Sequence, residues 1–429
     1  MFSLKKAAAG VLSCTMLLGS LVISGCSDSN TSGTQSADNT SNGSSTAHQG
    51  EIKDISSVEL VKDMKIGWSL GNTLDGGNES NRGQDPGSIE KSWGNPDTTK
   101  EMIDEIKKAG FNVLRVPTTW DWSTGEAPEY KISDEWFARV KEIVDYGMEN
   151  DMYVILNIHH ETWHDPLEKN YEAASDRLKK VWTQIGNYFK DYDEHLIFEG
   201  LNEPRVRNSD EEWNGGSDAT REVVNKLDAD FVSTIRSLDG NNKLRHLMIP
   251  GYAASSSEVA LKGLKIPEND DKLIVSVHAY IPYNFALSDN KRSNKWVACK
   301  EGFTNDIDNL ADMLKTLFTD KGQAVIIGEF GARSKDNEKY RAEWAKYYVT
   351  KMKTIGVPCV WWDNGAFIGS GELFGLFDRR NLEWRYPLVK DALISASNGE
   401  YTVDGLKSDT AILDELKKDI AQSKNSSAE

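Results

Sequence analysis

Two short stretches of the sequence combine the pattern of a buried strand with a carboxylate at its end. Residues 195–206 read HLIFEGLNEPRV and residues 324–332 read AVIIGEFGA, so Glu203 and Glu329 each follow a hydrophobic run. A carboxylate in such a place costs stability unless a nearby group pairs with it or uses it. Two carboxylates that face each other suit the cleavage of a glycosidic bond, because one can protonate the leaving oxygen while the other attacks or activates water.

The two carboxylates need different surroundings for this chemistry. Glu329 must stay ionised to attack, and Arg115 and the hydroxyl group of Tyr280 are the candidates to stabilise its charge. Glu203 is then expected to be the acid, with a pKa raised so that it holds a proton near neutral pH. Asn202, next to Glu203, is a candidate to bind the 2-hydroxyl group of a sugar.

Polar or aromatic residues, all candidates for one site, end seven of the eight predicted strands. They are Asn72, Arg115, His159 or His160, Asn202 with Glu203, His278 with Tyr280, Glu329, and Trp361 or Trp362. His278 and Tyr280 lie two residues apart and therefore share one face of their strand. Of the two tryptophans, Trp361 is the expected apolar plate for a pyranose ring, with Trp362 as the alternative. His159 and His160 are alternatives in the same way.

The elements that must position these residues alternate between short apolar runs and amphipathic stretches. The predicted strands are 64–72, 111–117, 152–160, 195–204, 244–252, 272–280, 324–332 and 357–365, and the helices include 98–110, 134–151, 175–192, 217–238, 304–321, 336–355 and 385–396. Strands that alternate with helices are expected to be parallel and covered on both faces. Eight such units predict an α/β protein with one closed (β/α)8 TIM barrel, in which the carboxyl ends of the strands form the active-site face. An open doubly wound sheet would normally bring a Gly-rich phosphate turn, which this sequence lacks.

The regions outside the barrel carry processing signals and tails. Residues 1–25 are interpreted as a lipoprotein signal peptide, because two lysines precede a short apolar run that ends in ISGC, so that Cys26 is the expected lipidation site. Residues 26–50 are the lipidated cysteine and a flexible linker rich in Ser, Asn and Thr, residues 51–400 form the catalytic domain, and residues 401–429 form a C-terminal helix and tail. We therefore expect a lipid-anchored protein of a bacterial cell envelope, with simple secretion as the alternative.

Composition excludes some partners. The chain has 429 residues and a formal net charge of −17, which argues against nucleic acid or an anionic membrane surface. We expect contact with a membrane only through the anchor at Cys26, a monomer, and neither a cofactor nor a metal ion. Cys299 and Cys359 have no metal-binding spacing, and they are interpreted either as two buried thiols or as a disulfide.

The motifs, taken together and in order, resemble those of glycoside hydrolase family 5. They are GWSLGNTLDG (67–76), WGNP (93–96), LRVP (114–117), NIHHE (157–161), LNEP (201–204), VHAY (277–280), GEFG (328–331) and WWDNG (361–365). The opening motifs are most similar to the subfamily 4 endo-β-1,4-glucanases, and the resemblance covers residues 55–397. It implies a retaining hydrolase of β-glucans such as cellulose, mixed-linkage glucan or xyloglucan. In this reading Glu203 is the proton donor and Glu329 the nucleophile, and His159 fits the family pattern better than His160.

Other interpretations stay open from the sequence. Members of the same family include endo-β-1,4-mannanases, and a surface lipoprotein that binds glycans without cleaving them is a third possibility. The cluster HHETWHD (159–165) holds His159, His160, His164 and Asp165 and is a weaker candidate for a metal-dependent hydrolase. Glu199 also points into the barrel, four residues before Glu203, and is interpreted as a structural ion-pair partner.

Overall fold

The computed structural model of the protein describes residues 48–414 and 417–418. The predicted signal peptide, the lipidation site at Cys26 and most of the predicted linker lie outside the described residues. In the described part, no helix has both the length and the apolar character needed to cross a membrane.

Eight parallel strands form a closed barrel in chain order, from β1 next to β2 round to β8 next to β1. The strands are β1 (Ile66–Leu70), β2 (Val113–Val116), β3 (Tyr153–Asn157), β4 (Leu196–Glu199), β5 (Leu247–Ser255), β6 (Leu273–His278), β7 (Ala324–Phe330) and β8 (Cys359–Asp363). A small antiparallel hairpin of β9 (Phe377–Asp378) and β10 (Glu383–Trp384) follows β8. The predicted (β/α)8 barrel is confirmed, and every strand lies within its predicted range or extends it by a few residues.

The helices pack around the barrel. They are α1 (Ser57–Asp63), α2 (Pro86–Glu90), α3 (Lys100–Ala109), α4 (Asp134–Glu149), α5 (Tyr171–Tyr188), α6 (Asp218–Ser237), α7 (Glu258–Gly263), α8 (Tyr283–Ala286), α9 (Asn305–Leu317), α10 (Glu338–Lys353), α11 (Pro387–Ser397) and α12 (Val403–Ser408). Local signals explain where they end: α3 ends at Gly110, whose φ of 111° is left-handed. Helix α5 lies four residues earlier than predicted, because it begins directly at Tyr171 after a short 3-10 turn.

The barrel interior is apolar at its amino-terminal end and polar towards the carboxyl ends of the strands. Strand residues Val113, Ile155, Ile197, Met248 and Ile274 fill the apolar part, and Leu60 and Val61 of α1 close it from below. Two residues further along four of these strands come Arg115, Asn157, Glu199 and Ser276, all buried. Because side chains alternate along a strand, these polar residues face the same interior and form the floor of the active-site end.

A β-bulge in β7 changes which side chains face the interior. Val277 of β6 pairs with Ile327, but the next residue, His278, pairs with Glu329, so Gly328 is the extra residue. Strict alternation from the interior residue Ile326 would point Glu329 outwards. The bulge turns Glu329 into the barrel.

The ends of the catalytic domain differ from the prediction. Residues 48–50, assigned above to the linker, dock on the barrel: Gly50 N–H donates to the carbonyl of Asp191 at 3.0 Å, and Asp193 N–H donates to that of His48 at 2.9 Å. Part of the predicted C-terminal helix lies outside the described residues. Cys299 is partly exposed and Cys359 is buried, and both are free thiols.

Candidate active site

The carboxylate of Glu329 is held by one donor on each oxygen. Arg115 Nη1 donates to Oε1 at 2.7 Å, and the Tyr280 hydroxyl group donates to Oε2 at 2.8 Å. Burial and the charge of Glu329 hold the pKa of Tyr280 well above its usual value, so this hydroxyl group keeps the proton that it donates. The two groups predicted to stabilise Glu329 are therefore both in contact with it.

Arg115 is the centre of the buried network below the carboxylate pair. Its side chain has no exposed surface, and it contacts Glu199 Oε2 at 2.7 Å through Nη2 as well as Glu329. Glu199 also accepts hydrogen bonds from the Ser276 hydroxyl group at 2.6 Å and from Asn157 Nδ2 at 2.9 Å. The predicted structural ion pair of Glu199 is thus present. It fixes the orientation of Arg115, so that another N–H group of the guanidinium can donate to Glu329.

Asn202 completes the contacts of Arg115. Arg115 Nη2 donates to Asn202 Oδ1 at 2.8 Å. Because the amide oxygen is occupied in this way, the amide NH₂ group is the part of Asn202 that remains to donate to a ligand. This arrangement fits the predicted contact with a sugar hydroxyl group.

Glu203 has a histidine partner instead of an arginine. His278 Nδ1 lies 2.9 Å from Glu203 Oε1, and Arg205 Nη1 lies 3.4 Å from Oε2. Burial acts to raise the pKa of Glu203, but the hydrogen bond and charge of His278, together with the charge of Arg205, outweigh it and lower this pKa. The prediction of a raised pKa is therefore wrong for this state of the site.

The pKa of His278 is shifted in the opposite direction to that of Glu203. Burial acts to lower the pKa of His278, but the negative charges of Glu329 and Glu203 outweigh it and raise this pKa. The two shifts favour the form in which the imidazole, rather than the carboxyl group, carries the proton of their 2.9 Å contact. The sequence suggested instead an isolated, protonated carboxyl group.

The two carboxylates are close together. One oxygen of Glu203, one oxygen of Glu329 and a ring nitrogen of His278 all lie within 4.8 Å of one another. Glycosidases that invert configuration leave room for a water molecule between carboxyl groups about 6.5–9.5 Å apart, whereas retaining enzymes place them about 5–5.5 Å apart. The close approach of the two carboxylate oxygens fits the shorter separation of retaining enzymes better than the longer one.

The two adjacent histidines differ in exposure. His159 is buried, with its Nδ1 3.0 Å from Asn157 Nδ2, whereas 42% of the His160 side chain is exposed. Asn157 Oδ1 accepts from Thr118 N–H, so the Asn157 amide nitrogen faces His159 and donates to its Nδ1. The His159 proton must then be on Nε2. Burial and the charges of His160 and Arg115 hold the pKa of His159 well below its usual value, which keeps the ring neutral.

Trp362 is the tryptophan that faces the site. Its ring stacks on His159, with centroids 5.6 Å apart and planes 5° from parallel. Trp361 points the opposite way: it has no exposed surface, packs against Trp344 of α10, and donates from Nε1 to the carbonyl of Phe374 at 3.0 Å. The prediction of Trp361 as the sugar platform is therefore wrong, because alternation along β8 directs it between the barrel and a helix.

Known proteins resemble this chain in sequence and in structure. The sequence profile of the cellulase family (glycosyl hydrolase family 5) matches residues 77–367. Endoglucanase A of Ruminococcus albus is 44% identical over 353 residues, which cover 81% of this chain and 94% of that protein. Endoglucanase B of Neocallimastix patriciarum is 49% identical over 347 residues, covering 80% and 72%.

Solved structures agree with these relatives. A GH5-4 broad specificity endoglucanase from Clostridium longisporum has a TM-score of 0.78 and 44% identity, and the match covers 81% of this chain and all of that one. Another, from Ruminococcus champanellensis with bound cellotriose, has a TM-score of 0.75 and 42% identity, and the match covers 80% and 99%. This chain belongs to glycosyl hydrolase family 5. It is a glycoside hydrolase with the (β/α)8 barrel of that family.

The family 5 site also contains polar residues that the sequence patterns did not single out. Asp75 is fully buried and accepts N–H donors from Thr73 at 2.7 Å and Asn72 at 3.1 Å. It lies 3.9 Å from His159 Nε2 and 3.8 Å from His160 Nε2, and burial raises its pKa. Asn72, predicted to bind substrate, contacts this group through its backbone and has a left-handed φ of 55°. The only sequence signal for Asp75 was its position within the opening motif GWSLGNTLDG.

Arg205 and Glu161 were missed as well. Arg205 follows the LNEP motif directly and donates to the Glu203 carbonyl at 3.0 Å, which holds the chain beside the carboxylate. Glu161 is buried and accepts from the Trp163 indole N–H at 2.8 Å, and burial with the nearby charge of Asp121 raises its pKa to about 7. Both roles depend on contacts that no local pattern reveals.

The four residues proposed as metal ligands in HHETWHD do not come together. Among the described residues, His164 and Asp165 belong to no group of ligand atoms close enough to share an ion, whereas His159 and His160 approach Asp75 instead. Asp165 is paired with Arg207 at 2.7 Å, and burial lowers the pKa of His164 to about 3. A metal site made of this segment alone is therefore not formed.

Proposed function

We propose that this family 5 hydrolase is a retaining endo-β-1,4-glucanase, with Glu329 as the nucleophile and Glu203 as the acid and base. The observation that carries the proposal is the separation of the two carboxylates, whose closest oxygens lie within 4.8 Å. The different partners of the two groups support the assignment of roles. Glu329 has fixed donors on both oxygens and is 7% exposed, whereas Glu203 is 16% exposed and is paired with His278, whose pKa is raised.

In the first step Glu329 attacks the anomeric carbon while the bond from that carbon to the leaving oxygen breaks. His278 first passes its proton to Glu203 across their 2.9 Å contact, and Glu203 delivers this proton to the leaving oxygen. The product is a glycosyl ester of Glu329 and a free chain end. Asn202, held by Arg115, is placed to donate to the sugar 2-hydroxyl group as positive charge develops on the ring.

In the second step a water molecule takes the place of the departed chain end. Glu203, now without its proton, accepts a proton from that water, and the oxygen attacks the anomeric carbon and releases Glu329 as a carboxylate. Two displacements at one carbon retain its configuration. One water is consumed for each bond cleaved, and both carboxyl groups return to their starting state.

The substrate proposed is a β-glucan chain with 1,4 linkages. Relatives are named endoglucanases, structural neighbours include broad specificity endoglucanases and a lichenase of Caldicellulosiruptor, and one neighbour binds cellotriose. A flat aromatic face at Trp362 and the half-exposed ring of Trp93, whose centroid lies 5.5 Å from that of His160, suit the apolar faces of successive pyranose rings. We expect the enzyme to act as a monomer and to need no cofactor.

We also propose that the enzyme is tethered to the cell envelope through a lipid on Cys26. The motif ISGC after a short apolar run with two preceding lysines supports this proposal. Mass spectrometry of the protein from its host should find a diacylglyceryl group on Cys26, and Cys26→Ser should release or mislocalise the activity. An unmodified mature protein in the medium would instead support simple secretion.

The activity is tested with the chain from residue 27 onwards on carboxymethylcellulose, barley β-glucan, xyloglucan, glucomannan and mannan, each with EDTA present. We expect cleavage of the glucans in EDTA, and a β-configured reducing end as the first product seen by proton NMR. Glu329→Gln should lose nearly all turnover but still bind cellotetraose, while the exposed control Glu258→Gln should behave as wild type. Cleavage of mannan alone would identify a mannanase, and α-configured first products would refute the retaining mechanism.

A further inference from the structure

A second cluster of histidines and carboxylates lies at the end of the barrel opposite the active site. His195 directly precedes β4, Asp151 lies before β3, and His48 belongs to the docked N-terminal segment. Ligand atoms of these three residues all lie within 4.8 Å of one another. The proposed catalytic mechanism uses none of them.

Asp193 sets the orientation of both histidine rings. Its Oδ2 lies 2.9 Å from His48 Nδ1, and its Oδ1 lies 3.0 Å from His195 Nδ1. Because a carboxylate only accepts hydrogen bonds, both Nδ1 atoms carry hydrogens, and in the neutral rings both Nε2 atoms carry lone pairs. A carboxylate behind the ring in this way is the usual support for a histidine that binds a metal ion.

The two Nε2 atoms converge on the third residue of the cluster. His48 Nε2 lies 3.4 Å and His195 Nε2 lies 3.9 Å from the same oxygen, Asp151 Oδ1. Ligands bound tetrahedrally to Zn²⁺ at about 2.0–2.1 Å are roughly 3.3–3.4 Å apart. The first distance already fits, and the second needs a movement of about half an ångström.

The surroundings hold His195 in place. Its ring stacks on Tyr153, with centroids 4.7 Å apart and planes 19° from parallel. The buried Arg245 fixes the backbone on both sides, donating to the carbonyls of Tyr192 at 2.6 Å and Leu196 at 3.0 Å. His195 is therefore held firmly on the barrel, and it faces the side chains of His48 and Asp151.

One side of the cluster is open to solvent. The side chain of Asp151 is 77% exposed, and a cavity of about 270 Å³ lined by Asp151, Tyr153 and His195 opens beside it. A fourth position on an ion could therefore be taken by water. Two imidazoles, one carboxylate and water form a ligand set that suits Zn²⁺ and similar transition metals better than Ca²⁺ or Mg²⁺, which prefer oxygen ligands.

We propose that His48, His195 and Asp151 bind a divalent transition-metal ion of the Zn²⁺ type, with Asp193 as the supporting carboxylate. This departs from the expectation that the protein binds no metal. The ion would cross-link the N-terminal segment at residue 48 to the start of β4, in addition to the hydrogen bonds that already dock this segment. It would have a structural role, because the cluster and the catalytic carboxylates lie at opposite ends of the barrel strands.

The test measures binding of Zn²⁺ to the full chain, purified in a mild detergent and stripped with EDTA. Calorimetry and elemental analysis should give one Zn²⁺ per chain, with Ni²⁺ also bound and Mg²⁺ and Ca²⁺ not bound. At a concentration 100 times the Kd, Zn²⁺ should raise the Tm by roughly 3 °C for a domain of this size. The exposed neighbour Asp191→Asn is the matched control and should bind as wild type.

Variants of the cluster separate this site from other groups that could hold an ion. Asp193→Asn should weaken binding about 10–100-fold by loss of the supporting carboxylate, and His48→Ala and Asp151→Asn should weaken it further. The side chain of Asp151 is 77% exposed, so Asp151→Asn should fold with the Tm of the stripped wild type. His48 is 17% exposed and contacts Asp193, so His48→Ala should fold with a slightly lower Tm in the absence of metal. Undiminished binding in His48→Ala would place the ion at Asp75 or at Glu203 and overturn the proposal, as would the absence of Zn²⁺ binding by the wild type.

Discussion

Replacement of Gly328 by alanine should damage catalysis through a single added methyl group. Gly328 is the extra residue of the β7 bulge, and a Cβ atom there would lie 2.8 Å from Ser276 Oγ and 3.2 Å from His278 Nε2. Ser276 donates to Glu199, which holds Arg115, and His278 contacts Glu203. The methyl group would therefore displace both Ser276 and His278, and through them it would disturb the positions of both carboxylates.

The size of the effect follows from these distances. Ordinary contacts of a Cβ atom are 3.4 Å or more, so Ser276 Oγ must move by about 0.6 Å and the imidazole by a few tenths of an ångström. A misplacement of about 1 Å near an active site can cost about 100-fold in rate, so we expect kcat to fall roughly 10–30-fold. KM should change little, because no sugar contact is removed, and overpacking should lower stability by about 1–3 kcal/mol.

Steady-state kinetics on cello-oligosaccharides and urea unfolding of the same samples test this. Gly251→Ala in β5 is a matched control, since its Cβ atom would meet nothing closer than 3.4 Å, and it should keep full activity. Adding Ser276→Ala to Gly328→Ala removes the closest contact and should recover part of the lost stability, which a double-mutant cycle measures. Full kcat in folded Gly328→Ala would refute the reasoning.

Three further outcomes are expected. Trp362→Leu should lower kcat/KM on oligosaccharides about tenfold through loss of an aromatic stacking surface. Trp361→Leu should lower stability and leave the kinetics of the folded enzyme unchanged. Equal kinetic effects of the two variants would contradict the assignment of the two rings. Glu203→Gln should slow hydrolysis of cellulosic substrates about 10²–10⁴-fold, but it should still release a dinitrophenyl leaving group in a pre-steady-state burst, because such a group needs no acid. Asp228 is buried without a hydrogen-bond partner among the described residues, and burial raises its pKa well above the usual value. Because the pKa of Asp228 is raised in the folded protein, the free energy of unfolding falls as the pH rises above the pKa that this aspartate has in the unfolded chain. Asp228→Asn should therefore be more stable than wild type at pH 7 by about 1–3 kcal/mol. Urea titrations should show this gain shrinking towards pH 4.

The barrel and the catalytic pair are features that local sequence pattern predicts well. Each strand is a short apolar run, each large helix has an apolar face, and the strand ends carry polar residues that meet because parallel strands share one active-site edge. Glu203 and Glu329 are 126 positions apart in the sequence, yet the order of the strands around the barrel is enough to bring them together. For the same reason Arg115, His278 and Tyr280 could be named in advance.

The errors concern features that depend on neighbours distant in the sequence. Adjacent tryptophans 361 and 362 are equivalent in composition, and only the register of β8 against β1 directs one to the site and the other towards α10. The pKa of Glu203 depends on a histidine 75 residues away, whose charge outweighs the burial that the strand pattern implied. Residue 48 looked like linker because its partner, Asp193, is equally remote.

The sequence by itself therefore determined the (β/α)8 barrel, the strand ends that form its active-site face and the two carboxylates proposed to act there, because these depend on periodicity and strand order. Only the tertiary structure decided how those groups point and where the proton resides. Strict alternation would turn Glu329 away from the barrel interior, and the bulge at Gly328, seen in the pairing of β6 with β7, turns it inwards. Orientation, charge and proton position are sums over neighbours from several strands, and those neighbours are defined only when the barrel closes.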